Sequence, residues 1–351
     1  MTSMRTQAPE TDLLIPLPAD GETWDPHTVH THFLGFSVPE AQIGAVVYFR
    51  YQPAFPLLGG GVGIYQGTSN VRPLDVEHLN WWNTMPYSQF EDGRLSAANG
   101  LTLEVVVPGE ELRVRYESRD GRTSFDVTQL GVSPLVARGS LMPALEGGTD
   151  PAQLPGGSEQ FMHVTGRLTL NGEHHDVDCV SIRDRSWRQL RPEGQGFVDM
   201  PPLGWTPLHF GDDLALNAFS FEPPHTDPAW AGLFDVPVDG PFHQGHPYVI
   251  RNGEISPIAR VERNVLEYHP QTFQAVRQEL LTVEEDGREL RFEGRAVASA
   301  SLPMWHNIAF VDSVFRWQDE LGRVAHNSYQ ECWFDTYQRE IKKRADRRVG
   351  A

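Results

Sequence analysis

Two-residue turn signals set between alternating runs recur along this chain, and they leave few folds open to it. Gly166-Arg167-Leu168-Thr169-Leu170 leads through Asn171-Gly172 into Asp176-Val177-Asp178-Cys179-Val180-Ser181-Ile182. Asn-Gly between such runs is the strongest short-range hairpin signal, because a type I′ turn needs positive φ at both central residues. Tyr248-Val249-Ile250 turns at Asn252-Gly253 towards Ile258, and Glu279 to Val283 turns at Asp286-Gly287 into Leu290 to Gly294. Leu101 to Val107 pairs through Pro108-Gly109-Glu110 with Leu112 to Tyr116, and Val311 to Trp317 turns around Glu320-Leu321-Gly322 into Val324 to Phe334. Helical periodicity is scarce. The spacing predicts an all-β chain of barrel or sandwich type, with a short helix expected only at Tyr337 to Arg348.

The 351 residues suffice for two units, and two Pro/Gly-rich stretches offer a boundary: Ser140 to Gly157 and Arg191 to Gly196. The second divides the strands more evenly. It gives an N-terminal unit over 22–190, a C-terminal unit over 191–340 and a basic tail over 341–351, each unit long enough for one small closed barrel with room for a ligand. Hydrophobic residues make up 39% of the chain, enough for a sizeable core, and nine Trp and 18 Phe are available to line a cavity. A formal net charge of −18 argues against nucleic acid and anionic membrane surfaces as partners, since both require a basic footprint. The N-terminus lacks the apolar core of a signal peptide and no window reaches the ~18 apolar residues of a membrane span, so a cytoplasmic location is expected. Two cysteines, Cys179 and Cys332, form neither a disulfide scaffold nor a CxxC metal spacing.

The strand that follows Asn171-Gly172 ends in Arg183-Asp184-Arg185-Ser186-Trp187. A strand this rich in charge is poor core material, because an unpaired buried charge is costly. Two placements remain: a wet barrel mouth, or a polar pocket in which the charges pair.

Several segments together resemble a known family: Phe33-Leu34-Gly35-Phe36-Ser37-Val38-Pro39-Glu40-Ala41 leading to Val47-Tyr48-Phe49-Arg50, the glycine-rich Gly59 to Gly63, and the central Gly172, Asp178 and Arg183 to Trp187. The chain resembles the hydroxyneurosporene synthase/AttH-like superfamily of tandem lipocalin-like proteins. The resemblance implies two tandem lipocalin-like antiparallel β-barrels with few short helices. It also implies hydratase, dehydratase or cyclase chemistry on hydrophobic molecules, with no metal or organic cofactor. Arg185 stands where that family commonly has His, and Arg188 where it commonly has Gly. The first change removes a group that titrates near neutrality.

By motif position Asp184 is the candidate proton donor, with Arg183, Arg185 and Trp187 as substrate contacts. Two guanidiniums beside a carboxylate lower its pKa. Strand alternation, however, puts Asp184 on the opposite face from both, and the structural ion pair stays open as the alternative. Glu331 is the second candidate acid. Alternation gives it one face with Tyr329 and Trp333, which suits a pocket wall or a solvent face. Trp81-Trp82 supply one inward and one outward ring. Trp305 and His306 add an aromatic contact and an acid/base candidate, against the commoner structural role of a lone His. His30 and His32 share a strand face but lack a third ligand, so no metal is expected, and Gly59 to Gly63 lacks the Lys-Ser/Thr and helix of a phosphate loop. The expected function is a cofactor-independent lyase or isomerase acting on an isoprenoid- or steroid-like molecule. The alternative is a non-catalytic carrier of a hydrophobic ligand.

Overall fold

The computed structural model describes residues 6–138, 156–190, 202–221, 232–233, 247–305 and 308–349. The strands in chain order are β1 (Thr28–Val38), β2 (Ile43–Gln52), β3 (Leu57–Gln66), β4 (His78–Pro86), β5 (Arg94–Ser96), β6 (Thr102–Val107), β7 (Glu111–Glu117), β8 (Ser124–Gly131), β9 (Val136–Arg138), β10 (Gly156–Leu170) and β11 (Glu173–Leu190). They continue with β12 (Leu203–His209), β13 (Ala215–Phe221), β14 (Tyr248–Arg251), β15 (Glu254–Tyr268), β16 (Ala275–Glu284), β17 (Glu289–Leu302), β18 (Ile308–Asp319) and β19 (Val324–Phe334), before one helix, α1 (Asp335–Val349). The chain divides into two compact units, one comprising Met1–Gly67 and Leu74–Gly194, the other Thr68–Pro73 and Gln195–Ala351.

The turn chemistry acts as the sequence predicts. Asn171 and Gly172 take φ of 52° and 92°, and β10 and β11 pair in unbroken register from Leu170↔Glu173 to Gly156↔Trp187. Asn252-Gly253 joins β14 to β15 with φ of 50° and 83°.

The first unit is one antiparallel sheet in the order β4-β3-β2-β1-β11-β10-β8-β7-β6-β5, with β9 on β10. It curls around a core that includes Leu34, Phe36, Val47, Phe49, Val62 and Met162. The barrel-like curl expected from the sequence is present, and among the described residues its end strands β4 and β5 are not hydrogen-bonded to each other. Side chains span part of the gap. Asn80 Nδ2 on β4 donates to the Tyr116 hydroxyl on β7 (2.7 Å) and to Asn99 O (3.0 Å), and His78 Nε2 meets the same hydroxyl at 2.8 Å.

The second unit is the closed barrel β12-β13-β14-β15-β16-β17-β18-β19, which removes every sheet edge. Its interior is filled by Leu280, Phe292, Phe315, Trp317 and Tyr329 among others. Gly294 makes room for the Trp317 ring, where an added Cβ would lie 2.5 Å from a ring carbon. Thr68–Pro73 belongs to this unit: Asn70 bridges Ala300 through the backbone and donates from Nδ2 to Ser299 O at 3.0 Å. The helix foreseen at Tyr337 to Arg348 is longer, and it is anchored: Ile341 is buried against Trp333. Neither cysteine is in a disulfide. No described helix is long and apolar enough to cross a membrane.

Candidate functional site

Alternation along β11 sends Val177, Cys179, Arg183, Arg185 and Trp187 to the concave face of the first sheet and Asp184 to the other. Val177 and Cys179 join the apolar core there, so the arginines lie on the same inner surface, further along the strand. Asp184 stands opposite Phe33 and Glu159, away from both guanidiniums, whereas Arg185 stands opposite His32 and Ser158.

The two arginines differ in their partners. Arg183 donates to both oxygens of Asp12, at 2.9 and 3.1 Å, and twice to Gln160 Oε1, at 2.9 and 2.7 Å. Gly109 N completes the carboxylate at 2.7 Å. Asp12 lies in a 3-10 turn, Pro9–Leu13, whose course is fixed upstream by a Thr6–Val136 bridge and by Gln7 N donating to Leu135 O. Arg183 is therefore a saturated anchor.

Arg185 is only 4% exposed, and its Nη1 has no hydrogen-bond partner. Removal from water pulls its pKa down to about 10. Its guanidinium carbon lies 5.7 Å from the centre of the Trp187 ring. Four further buried atoms lack partners on the same side: His32 Nδ1, the Tyr51 and Tyr87 hydroxyls, and Trp187 Nε1. His32 lies 5.8 Å from Tyr51, 6.2 Å from Phe90 and 6.4 Å from Phe49, ring centre to ring centre, and Tyr51 lies 5.5 Å from Tyr87. Burial holds the His32 imidazole well below its usual range, and the nearby Arg185 and Arg183 push the same way. Burial likewise pushes the Tyr51 phenol well up, with Tyr87 adding and Arg185 opposing, and raises Tyr87. Near neutral pH the cluster thus holds a neutral imidazole, two intact phenols and a guanidinium, bordering an apolar core. Orphaned buried polar atoms are rare, and each costs about 1–3 kcal/mol. Five in one place mark a surface shaped for something polar.

The neighbouring His30 shows the contrast. Its Nε2 donates to Pro16 O at 2.7 Å and its Nδ1 accepts from Arg188 N at 2.8 Å, which fixes one neutral tautomer. Burial lowers its pKa to about 4. The Arg188 amide reaches it because β1 and β11 shift register there, and Arg188 sits at φ 52°. That is a left-handed conformation glycine enters most easily, at the position where the resemblance implies glycine. The Arg188 guanidinium covers Trp24 at 4.1 Å. Among the described residues no three His, Cys, Asp or Glu side chains gather as a metal site requires.

In the second unit Glu331 is fully buried. Its Oε1 accepts from Arg263 Nη2 at 2.5 Å and its Oε2 from Ala275 N at 2.8 Å, while Arg263 Nε donates to Gln278 Oε1 at 3.0 Å. Both carboxylate oxygens thus serve an internal ion pair and a backbone amide inside the barrel. Tyr329 is packed against Phe315 at 4.7 Å, with Arg263 over its ring at 5.6 Å. Trp333 packs on α1, and Trp305 tilts against Phe310 at 5.9 Å. His306 lies outside the described residues. Trp81 stacks on Tyr48 at 5.9 Å, and Trp82 is 45% exposed with its Nε1 on Asn80 Oδ1. A concavity on the outer face of this barrel is lined by charges such as Glu262, Arg291, Glu293 and Arg295. Exposed pairs such as Arg277–Glu293, at 2.7 Å, mark it as solvated surface.

Of the described residues singled out in the sequence, Arg185 and Trp187 thus belong to the inner cluster, Arg183 is held beside them by Asp12 and Gln160, and the others lie elsewhere. His32 was legible only as half of a metal pair, and Tyr51 and Tyr87 were missed. A signal existed: His32 and Tyr51 are polar-tipped residues at the parity of Leu34 and Phe49, which line the core.

Residues 19–331 match a family model described as a domain of unknown function, DUF7064. The chain belongs to this family. No curated protein matches the sequence significantly. Among solved structures, CghA shares the fold at 12% identity and a TM-score of 0.52, covering 94% of each chain. A putative AttH from Nitrosomonas europaea is 13% identical over 91% of this chain and 99% of its own, with a TM-score of 0.49. Kievitone hydratase from Nectria haematococca is 11% identical over 89% and 90%, with a TM-score of 0.48. The all-β tandem lipocalin-like fold read from the sequence is borne out, and CghA shares it.

Proposed function

We propose that this protein is a cofactor-independent lyase or isomerase of hydratase, dehydratase or cyclase type, acting on a hydrophobic small molecule against the concave face of the first unit. One observation carries the reading: His32 Nδ1, Arg185 Nη1 and the Tyr51 and Tyr87 hydroxyls are buried atoms with no hydrogen-bond partner among the described residues, beside an apolar core. A neutral imidazole accepts a proton, intact phenols donate one, and a guanidinium stabilises negative charge on oxygen.

The chemistry that fits is proton abstraction beside a carbonyl. His32 takes the C–H proton, and the electron pair moves onto the oxygen next to Arg185. Return of the proton to another carbon gives an isomer. Expulsion of a β-hydroxyl group, protonated by a phenol as it leaves as water, gives an alkene, and the reverse is hydration. Protonated His32 beside Arg185 would be unfavourable alone, so the proton moves only as the substrate oxygen becomes negative. His32 and the phenols then take the proton-handling role that the sequence suggested for Asp184 and Glu331.

The test is hydrogen exchange. The protein is incubated in D2O with a panel of hydrophobic enones and β-hydroxyketones, and deuterium uptake is read by mass spectrometry. Uptake is expected with the wild type, reduced by about 10² or more in a folded His32→Ala variant, and retained in Glu331→Gln. No uptake with any panel member, together with an unchanged hydrophobic molecule retained in native mass spectra, would make the protein a carrier instead.

A further inference from the structure

We propose that the ligand of the first unit carries an acidic oxygen, as a carboxylate or as an enol or phenol that ionises on binding, and that Arg185 selects it. This rests on the reading that the concave face is the active site, and it names the class of molecule that face takes.

The Arg185 side chain is buried, and among the described residues no carboxylate pairs with it. The nearest acidic group to influence it, Asp12, has both oxygens taken by Arg183 and one of them also by Gly109 N. The Glu159 and Asp184 carboxylates stand opposite each other in the β10–β11 register, at positions whose side chains leave the other face of the sheet. A buried ion without a counter-ion costs several kcal/mol, and proteins keep buried charges paired. A neutral hydroxyl or carbonyl would supply one hydrogen bond and leave the charge uncompensated, whereas an oxyanion supplies both.

The surrounding donors point the same way. Among the described residues Trp187 Nε1–H and Arg185 Nη1–H, which can only donate, lack acceptors, and the Tyr51 and Tyr87 hydroxyls, which can donate or accept, lack partners of either kind, as does His32 Nδ1. Two groups that can only donate and two hydroxyls free to donate are matched by a ligand rich in acceptors. The planar guanidinium fork fits two oxygens at once, as in a carboxylate or an ionised 1,3-dicarbonyl. The rings of Phe49 and Phe90, each edge-to-face with His32, suit a flat apolar body attached to that headgroup.

The test uses two probes with one skeleton: 2-naphthoate and 2-naphthalenemethanol, titrated calorimetrically into the full chain at pH 7. The anion is expected to bind at least about tenfold more tightly than the alcohol, a difference of about 1.4 kcal/mol. Arg185→Gln should erase that preference while leaving the alcohol's Kd within about twofold. Arg185→Lys, which keeps the charge and loses the fork, should retain part of it, and it serves if the Gln variant does not fold. Equal affinities in the wild type, failure of the anion to bind, or a preference that survives in folded Arg185→Gln each overturn the proposal. The two readings fail separately. Deuterium uptake that depends on His32 without any anion preference leaves the catalytic reading standing and removes this one. An Arg185-dependent preference without uptake does the reverse.

Discussion

Arg183 and Arg185 lie two residues apart on one face of β11, yet Arg183 is gripped by Asp12 and Gln160 while Arg185 has an N–H with no acceptor. Their removal should therefore have opposite consequences. Arg183→Met leaves the Asp12 carboxylate buried without its counter-ion and should lower stability by about 3–5 kcal/mol. Arg185→Met removes a desolvated charge and should leave stability unchanged or raise it. Urea denaturation of the two variants, followed by tryptophan fluorescence, checks the pair, and equal losses would contradict the assignment.

Acid should weaken the first unit through His30. Its folded pKa, about 4, lies below the ordinary imidazole value of 6.5. The unfolded chain thus binds the extra proton first. Stability from this residue is complete above pH 6.5 and is lost as pH falls towards 4, in total about 3 kcal/mol. His32 is shifted in the same direction and adds to the loss. The slope of unfolding free energy against pH between 4 and 6.5 should flatten in His30→Gln, and an unchanged slope would show that the imidazole is not held neutral.

Glu331 is expected to matter for stability and not for turnover. Glu331→Gln leaves the Arg263 guanidinium buried and uncompensated, at a cost of about 3–5 kcal/mol to the second unit. Replacing both partners, Arg263→Met with Glu331→Met, should recover most of it, because the desolvated charge leaves with its partner. A double-mutant cycle in urea measures the coupling, and additive losses would mean the two groups do not interact.

Packing in the closed barrel can be tested at Gly294. A methyl group there would meet three Trp317 ring carbons at 2.5, 2.6 and 2.7 Å. Gly294→Ala should therefore lower stability by about 1–3 kcal/mol through overpacking. Trp317→Phe in the same background should restore part of it, as judged by the thermal midpoint.

The strand pairing was legible because turn residues act locally. Asn171-Gly172 and Asn252-Gly253 need positive φ wherever they occur, and two flanking runs then have one register. Closure was not legible, because it depends on whether distant strands β4 and β5 meet, and no residue within either encodes that. The site was half legible. Charge in a strand drew notice to Arg183 to Trp187, but not which arginine has a carboxylate, since Asp12 comes from a turn at the far end of the sequence. Tyr51 and His32 were hidden by context: each is an ordinary strand residue until its neighbours across the sheet are known to be apolar.

The excursion of Thr68–Pro73 has a consequence for how this protein can be taken apart. The backbone passes from one unit to the other at Gly67, returns at Leu74 and leaves again after Gly194. A chain cut after Gly194 would strip Asn70 from Ser299 and Ala300 and leave Thr68–Pro73 without the unit it packs in. The two halves are woven rather than strung. Gene fusion or shuffling at the obvious central joint would trade one half without its stitch, so inheritance of this protein as an undivided pair follows from six residues in the loop after β3.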